Sequence, residues 1–166
     1  MSRLAAAGVA ALLVGCVARD ATVPPLADGV LSVTWTDSNR TARFRAPALG
    51  SWCADRQELL ITAQRGDTGI AVLVAFGGPR KAGAYPVRSD GQTPRGSVAL
   101  RQADRLVLRA WRADSGAITL SAVDANADGT FAVRAVTVQE DRLVPTRLIG
   151  RFSGTPIVAD TACTPP

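Results

Sequence analysis

The feature that most constrains this chain is an alternation of apolar and polar residues with a period of two, which runs from Val30 onward. In TARFRAP, Ala42, Phe44 and Ala46 fall on one face of an extended chain, and the residues between them are arginines. Similar segments follow, divided by glycines: LLITAQ, GIAVLVAF, AITLSAV, TFAVRAVTV and RLIGRFSG. The continuous apolar run GIAVLVAF predicts a central strand buried on both faces. Together these segments predict an all-β, mostly antiparallel sandwich or barrel of about 7–10 strands in one domain.

The segment RQADRLVLRAWRAD is compatible with two structures. Its arginines recur at helical spacing: Arg101, Arg105, Arg109 and Arg112. As a β-hairpin, the same segment turns near Ala103 and Asp104. One face then points inward with Leu106, Leu108 and Ala110, and the other carries Arg105, Arg109 and Trp111. We favour the hairpin because the surrounding segments are β; a helix here would cap one end of the sheet.

The N-terminus follows a different pattern. Arg3 precedes an apolar stretch at residues 4–14, which is too short to cross a bilayer, since a spanning helix needs about 20 apolar residues. A positive start, a short apolar stretch and a small residue before a polar segment are typical of a secretory signal peptide.

The residues Leu13-Val14-Gly15-Cys16, directly after that stretch, resemble the lipobox of bacterial lipoproteins. The resemblance implies that residues 1–15 are a signal peptide, that Cys16 carries a covalent lipid, and that residues 16–29 tether a β-domain at 30–166. In similar lipoproteins an aspartate after the cysteine retains the protein in the inner membrane. Val17 stands here instead, which implies export to the cell envelope and, in a diderm organism, an outer-membrane anchor.

The cysteines sharpen this prediction. With Cys16 assigned to the lipid, Cys53 and Cys163 remain as a pair. Two cysteines outside the cytoplasm usually oxidise together, so the sequence predicts a structural disulfide. The disulfide would join the C-terminal tail to the segment around Trp52, whose ring we expect beside it.

The sequence offers little for catalysis. It contains no histidine, the commonest general base and the commonest metal ligand. Nothing positions a serine against Lys81, and in GRFSG the serine does not occupy the place that a nucleophile elbow requires. We therefore expect no catalytic residues and a non-enzymatic protein that needs no cofactor besides its lipid.

The segment DANADG is the best local motif for a metal. Asp124, Asn126 and Asp128, with Gly129 in the sixth position, are spaced as at the start of a calcium loop. The twelfth position, however, is Ala135, where an EF-hand has a bidentate glutamate. The same residue types are ordinary in hairpin turns, so a plain turn is the favoured interpretation and calcium the alternative.

Two further features bear on partners. Trp35 and Trp111 are candidate ligand-binding residues because surface indole rings stack on sugars, although tryptophans in such a domain also pack in the core. The net charge is +5, and the basic residues are arginines scattered along the chain, with Lys81 as the one lysine. In an envelope protein this balance favours anionic lipid or polymer over nucleic acid, with a plain solvated surface as the alternative.

The last third of the chain resembles that of β-rich bacterial lipoproteins, in which a G-T-F strand and a final G-x-F strand precede a closing cysteine. Here the corresponding segments are GTFAVRAV and RLIGRFSG. The resemblance implies an antiparallel fold and no known activity. We expect a membrane-anchored lipoprotein whose β-domain binds or scaffolds an envelope protein, glycan or anionic lipid. The alternative is a lipocalin-like barrel that encloses an apolar ligand, as small eight-stranded barrels do.

Overall fold

The computed structural model describes residues 29–37, 40–88, 90–104, 107–138, 145–160 and 163. The predicted signal peptide, Cys16 and the tether up to residue 28 lie outside these residues. Within the described ranges there is no helix, and so none long and apolar enough to cross a membrane. The prediction of a mostly antiparallel all-β domain is confirmed, and its architecture is a barrel.

The strands are β1 (Gly29–Thr36), β2 (Thr41–Cys53), β3 (Glu58–Arg65), β4 (Thr68–Ala75), β5 (Gly83–Pro86), β6 (Arg95–Asp104), β7 (Val107–Val123), β8 (Asn126–Thr137) and β9 (Thr146–Ala159). Eight of them close into the barrel in the order β1–β2–β3–β4–β6–β7–β8–β9, and β9 pairs again with β1. The short β5 pairs with the second half of β7. Where β1 has not yet begun, the end of β2 pairs directly with the end of β9, and these two segments run parallel.

The interior of the barrel is filled by inward-facing side chains. The largest fully buried ones come from all round the wall: Phe131, Phe152, Leu31, Leu59, Ile61, Leu100, Ile118, Leu120 and Leu148. An eight-stranded barrel is just wide enough for side chains to fill it or for one small ligand to enter. The described positions therefore form a core that side chains fill.

Two Gly-x-Phe motifs lock β8 against β9. The antiparallel register pairs Gly129 with Phe152 and Phe131 with Gly150, so each phenylalanine faces the glycine of the other strand. A Cβ atom on Gly150 would lie 2.2 Å from Cζ of Phe131, and one on Gly129 would lie 2.6 Å from Cζ of Phe152. Both rings thus occupy space that only glycine leaves free, and in a shifted register the rings would no longer face the glycines.

The segment at 100–112 forms the favoured hairpin, with a correction to its turn and faces. Asp104 pairs with Val107, so the turn falls at positions 105 and 106, which lie outside the described residues, rather than at Ala103 and Asp104. Trp111 pairs with Leu100 and is buried, whereas Leu108 is exposed. The predicted inward and outward faces were therefore reversed, because a shift of one residue moves every side chain to the other face.

The other strand predictions are confirmed, with one difference for GIAVLVAF. In β4, Ile70, Val72 and Val74 are buried, but Ala71 and Leu73 are only half-buried. A barrel wall has one interior face, so no second layer covers the outside of β4. The glycines expected between strands, Gly116, Gly129 and Gly154, lie within strands instead.

The predicted disulfide is confirmed: it joins Cys53 to Cys163, which lie 110 residues apart in the chain. The parallel pairing of β2 with β9 sets Ala159 beside Trp52, which brings the tail to the end of β2. The Asp160 carboxylate then accepts a hydrogen bond from the Cys163 backbone N–H at 3.0 Å.

The first prediction concerns the Gly-x-Phe motifs. Gly150→Ala should lower the free energy of unfolding by about 1–3 kcal/mol, because the new methyl group collides with the Phe131 ring inside a packed core. Adding Phe131→Leu should recover part of this loss. Urea unfolding measures both. Gly78→Ala is the matched control, since a Cβ there meets nothing; equal losses at the two glycines would contradict the interpretation.

The second prediction concerns the disulfide. Replacing both cysteines, Cys53→Ser with Cys163→Ser, should cost about 2–5 kcal/mol in urea unfolding, because the crosslink closes a long loop. Reducing the unaltered protein with dithiothreitol should cause the same loss. A protein whose unfolding midpoint is unchanged by reduction would show that the bridge does not stabilise the fold.

Candidate functional site

The outer wall of the barrel carries a groove that crosses β2, β1, β9, β8 and β7. Two transverse rows of outward-facing side chains border it, and the register aligns their members from strand to strand. One row is Arg45, Ser32, Arg151, Thr130 and Thr119; the other is Arg43, Thr34, Ile149, Ala132 and Ala117. The groove has a volume of about 790 Å³. We call it the arginine groove.

The strand alternation produces this groove directly. In β2, Phe44 and Ala46 point into the barrel, so Arg43 and Arg45 point out. The Gly-x-Phe motifs act in the same way: with Phe131 and Phe152 inside, the middle residues Thr130 and Arg151 face outward as register partners. The interior packing thus sets which side chains border the groove.

Ser32 occupies the centre of the cationic part. It pairs with Arg45 of β2 on one side and with Arg151 of β9 on the other. Because neighbouring strands lie about 4.8 Å apart, the two arginines start about 10 Å from each other with a hydroxyl between them. This arrangement presents two guanidinium groups and a hydroxyl to one extended ligand.

Within the described part of the chain, the arginines of the groove have no protein partners. Four line it, namely Arg43, Arg45, Arg65 and Arg151, and among the described residues of the lining none is acidic. None of the four side chains makes an ion pair or hydrogen bond within the described part of the chain. By contrast, Arg134 nearby is paired with Asp114 at 3.2 Å. The groove therefore holds concentrated positive charge that no described acidic side chain neutralises.

A second groove lies on the opposite side of the wall, across β2, β3, β4, β6 and β7. Its outward-facing residues are mostly small or aliphatic: Pro47, Leu49, Gly69, Ala71, Ala99, Ala110 and Val138. It has a volume of about 660 Å³, and Arg101 and Arg112 also line it. The arginine groove is centred on β9 and this apolar groove on β4, which are diametrically opposite in the order of the eight strands.

The two tryptophans predicted as surface ligand-binding residues lie in the core instead. Trp35 is 7% exposed and Trp111 is 5% exposed, and both belong to the buried cluster. Their inward orientation follows from the alternation: Trp35 has the same parity as the buried Val33. With their rings inside the wall, neither residue presents a face on which a sugar ring stacks.

Trp52, expected beside the disulfide, lies edge-on against Phe76 with 5.6 Å between ring centres. The guanidinium of Arg80 lies 4.9 Å from the centre of the Trp52 ring. Phe76 also contacts Tyr85, whose hydroxyl donates a hydrogen bond to the Lys81 carbonyl; burial raises the pKa of this hydroxyl. These rings close the end of the barrel next to β5.

The DANADG segment forms the tight connection from β7 to β8. Asp124 lies in the bend, Asn126 and Asp128 already belong to β8, and the Asp128 carboxylate accepts a hydrogen bond from the Gly154 backbone N–H at 2.8 Å. In the described part of the chain, no cluster of three or more histidine, cysteine or acidic side chains is arranged to hold a metal. Here Asp128 fastens β8 to β9.

Sequence reasoning missed the arginine groove. Its arginines stood on the polar faces of TARFRAP and RLIGRFSG, but distant segments of the sequence do not reveal that β1 lies between β2 and β9. The available signal was the alternation itself, which places Arg43 and Arg45 on one outer face and Arg147 and Arg151 on another.

No protein-family model matches the chain, and no curated protein or solved structure matches it significantly. The functional interpretation therefore depends on the residues of the barrel and on the N-terminal sequence pattern.

The third prediction concerns calcium at the DANADG segment. We expect millimolar calcium to leave the melting temperature unchanged, because Asp128 already accepts a backbone hydrogen bond and the flanking elements are strands. Thermal unfolding with calcium and with a chelator measures the difference. A clear rise with calcium that Asp124→Asn abolishes would instead establish an ion site.

Proposed function

We propose that this chain is a lipid-anchored lipoprotein of the bacterial envelope, without enzymatic activity, whose barrel binds a linear anionic glycan in the arginine groove. The observation that carries the proposal is the set of unpaired arginines that border one continuous groove. The lipobox-like residues before and at Cys16 support the anchor. The first described strand begins at Gly29, which leaves the preceding residues available as the predicted tether.

The chemistry of the groove favours a polyanion. Arginine presents a planar fork of donors that matches carboxylate and phosphate groups with paired hydrogen bonds. Arg45 and Arg151, on either side of Ser32, would each bind a separate anionic group along one ligand. The ligand we infer therefore carries negative charges at intervals of about 10 Å.

The remaining lining favours a sugar polymer among polyanions. Ser32, Thr34, Thr119 and Thr130 provide hydroxyl groups that both donate and accept hydrogen bonds, as sugar hydroxyls require. Ala117, Ala132 and Ile149 add apolar surface suited to the C–H faces of sugar rings. The groove crosses the strands on an open wall for on the order of 20 Å, which suits an extended chain of sugars.

The packed interior bears on the alternative, a lipocalin-like carrier. The barrel has the architecture that a carrier requires, but its described interior positions hold fully buried phenylalanines and aliphatic residues. Both grooves described above lie on the outer wall of the barrel. These observations favour binding on the outside of the barrel.

The fourth prediction tests the glycan. The double variant Arg45→Gln, Arg151→Gln should bind hexagalacturonate about tenfold more weakly or worse, because it loses two charge-assisted contacts. Isothermal titration calorimetry on the parent and the variant measures this. The matched control is Arg88→Gln, Arg95→Gln, which removes the same charge outside the groove and should bind like the parent.

Comparison of probes tests the specificity. Maltohexaose, which is neutral, should not bind, and added salt should weaken the binding of hexagalacturonate because it screens exposed charges. Equal affinity for polyglutamate of the same charge would contradict a glycan site and indicate a general polyanion surface. Equal loss in both double variants would contradict the location of the site.

A further inference from the structure

The exposed aliphatic side chains of the barrel are concentrated on one side. Among the described residues, the large exposed hydrophobics are Leu49, Val107, Leu108, Val138 and Ile149. Leu49 and Val138 border the apolar groove, and Leu108 continues its outer face towards the tip of the β6–β7 hairpin. Val107 lies at that tip on the other face of the strand. Only Ile149 belongs to the arginine groove. Val138 is 60% exposed and Leu108 49%, so water contacts a continuous apolar surface here.

The charged side chains that line the apolar groove are arginines. Arg101 pairs with Ala110 in the sheet and Arg112 with Ala99, so both side chains start among the lining residues of the apolar groove. None of the described residues that line the apolar groove is acidic. The surface therefore combines exposed aliphatic groups with cations.

We propose that the apolar groove and the neighbouring hairpin residues dock on the surface of an anionic lipid bilayer. A bilayer offers an apolar layer for Leu108 and Val138 and phosphates for Arg101 and Arg112. A second copy of the chain fits less well. In a symmetric dimer, the arginines of both copies would be buried together, and neither lining would supply a carboxylate to pair them.

The position of this surface fits the proposed anchor. The tether enters at Gly29, and fully extended it would reach roughly 40 Å, which allows the barrel to lie on its side against the bilayer. Because the arginine groove lies on the opposite wall, a barrel docked in this way would present that groove away from the lipid. The docking nevertheless uses different residues from the glycan site, so each proposal is tested separately.

Vesicle binding of residues 17–166, made without the lipidated cysteine, tests the docking. All nine strands and both cysteines of the disulfide lie within this range, and it lacks the apolar N-terminal stretch that would itself enter lipid. The parent should co-sediment with vesicles of equal phosphatidylglycerol and phosphatidylcholine and much less with pure phosphatidylcholine. Leu108→Ser with Val138→Ser should lower the partition coefficient about tenfold.

The controls separate the two faces. Ile149→Ser removes an exposed aliphatic residue from the opposite wall and should leave vesicle binding unchanged, and matching melting temperatures of all variants establish that each is folded. Unchanged binding by the Leu108→Ser, Val138→Ser variant would overturn the proposal. The proposal would also be overturned if the Arg45→Gln, Arg151→Gln variant lost vesicle binding while the serine variant kept it. A dimer in sedimentation that the serine variant dissociates would likewise overturn it.

Discussion

Two phenylalanine rings packed over two glycines hold β8 against β9, and much of the outer surface follows from that contact. Phe131 occupies the space above Gly150, and Phe152 the space above Gly129. A slip of one residue would drive both rings out of the core and turn every neighbouring side chain over. The pairing therefore fixes Thr130 and Arg151 on the outside, and the separate pairings of β1 with β9 and with β2 set the distance from Arg151 to Arg45.

The barrel separates its chemistry into two walls. The one centred on β9 carries unpaired arginines and hydroxyl groups, and the one centred on β4 carries small and aliphatic residues together with two arginines. The described interior positions are filled by side chains, so both grooves lie on the outside of the barrel. We propose that the barrel is a rigid scaffold with a lipid-binding wall and, on the opposite wall, a glycan-binding groove.

Much of this fold was predictable from the sequence because it depends on local alternation. In β2, buried Phe44 and Ala46 between exposed arginines reproduce the sequence pattern, and the cysteines pair as expected. Trp35 was misplaced although its parity with Val33 pointed inward. The turn after Asp104 was misplaced because alternation identifies a face but not the residue at which a chain reverses.

The candidate site was beyond prediction for a different physical reason. A groove across strands depends on which strands are neighbours. Arg45 and Arg151 lie on either side of β1 although they are far apart in the chain. The closure of the barrel, rather than any one segment, creates that proximity. The DANADG segment is a local pattern, and the plain turn that the sequence favoured there agrees with its place between β7 and β8, where Asp128 accepts a hydrogen bond from the Gly154 N–H. Calcium binding at this segment stays a prediction.

The most direct measurement of the central claim is an NMR titration of the isotope-labelled barrel with hexagalacturonate, followed through its backbone amide shifts. The account predicts that saturable shifts cluster on Ser32, Thr34, Thr130 and Arg151, while the amides of Ala71 and Ala99 on the opposite wall stay unchanged. Shifts that cluster on the β4 wall or in the barrel interior, or no saturable shifts at all, would contradict it.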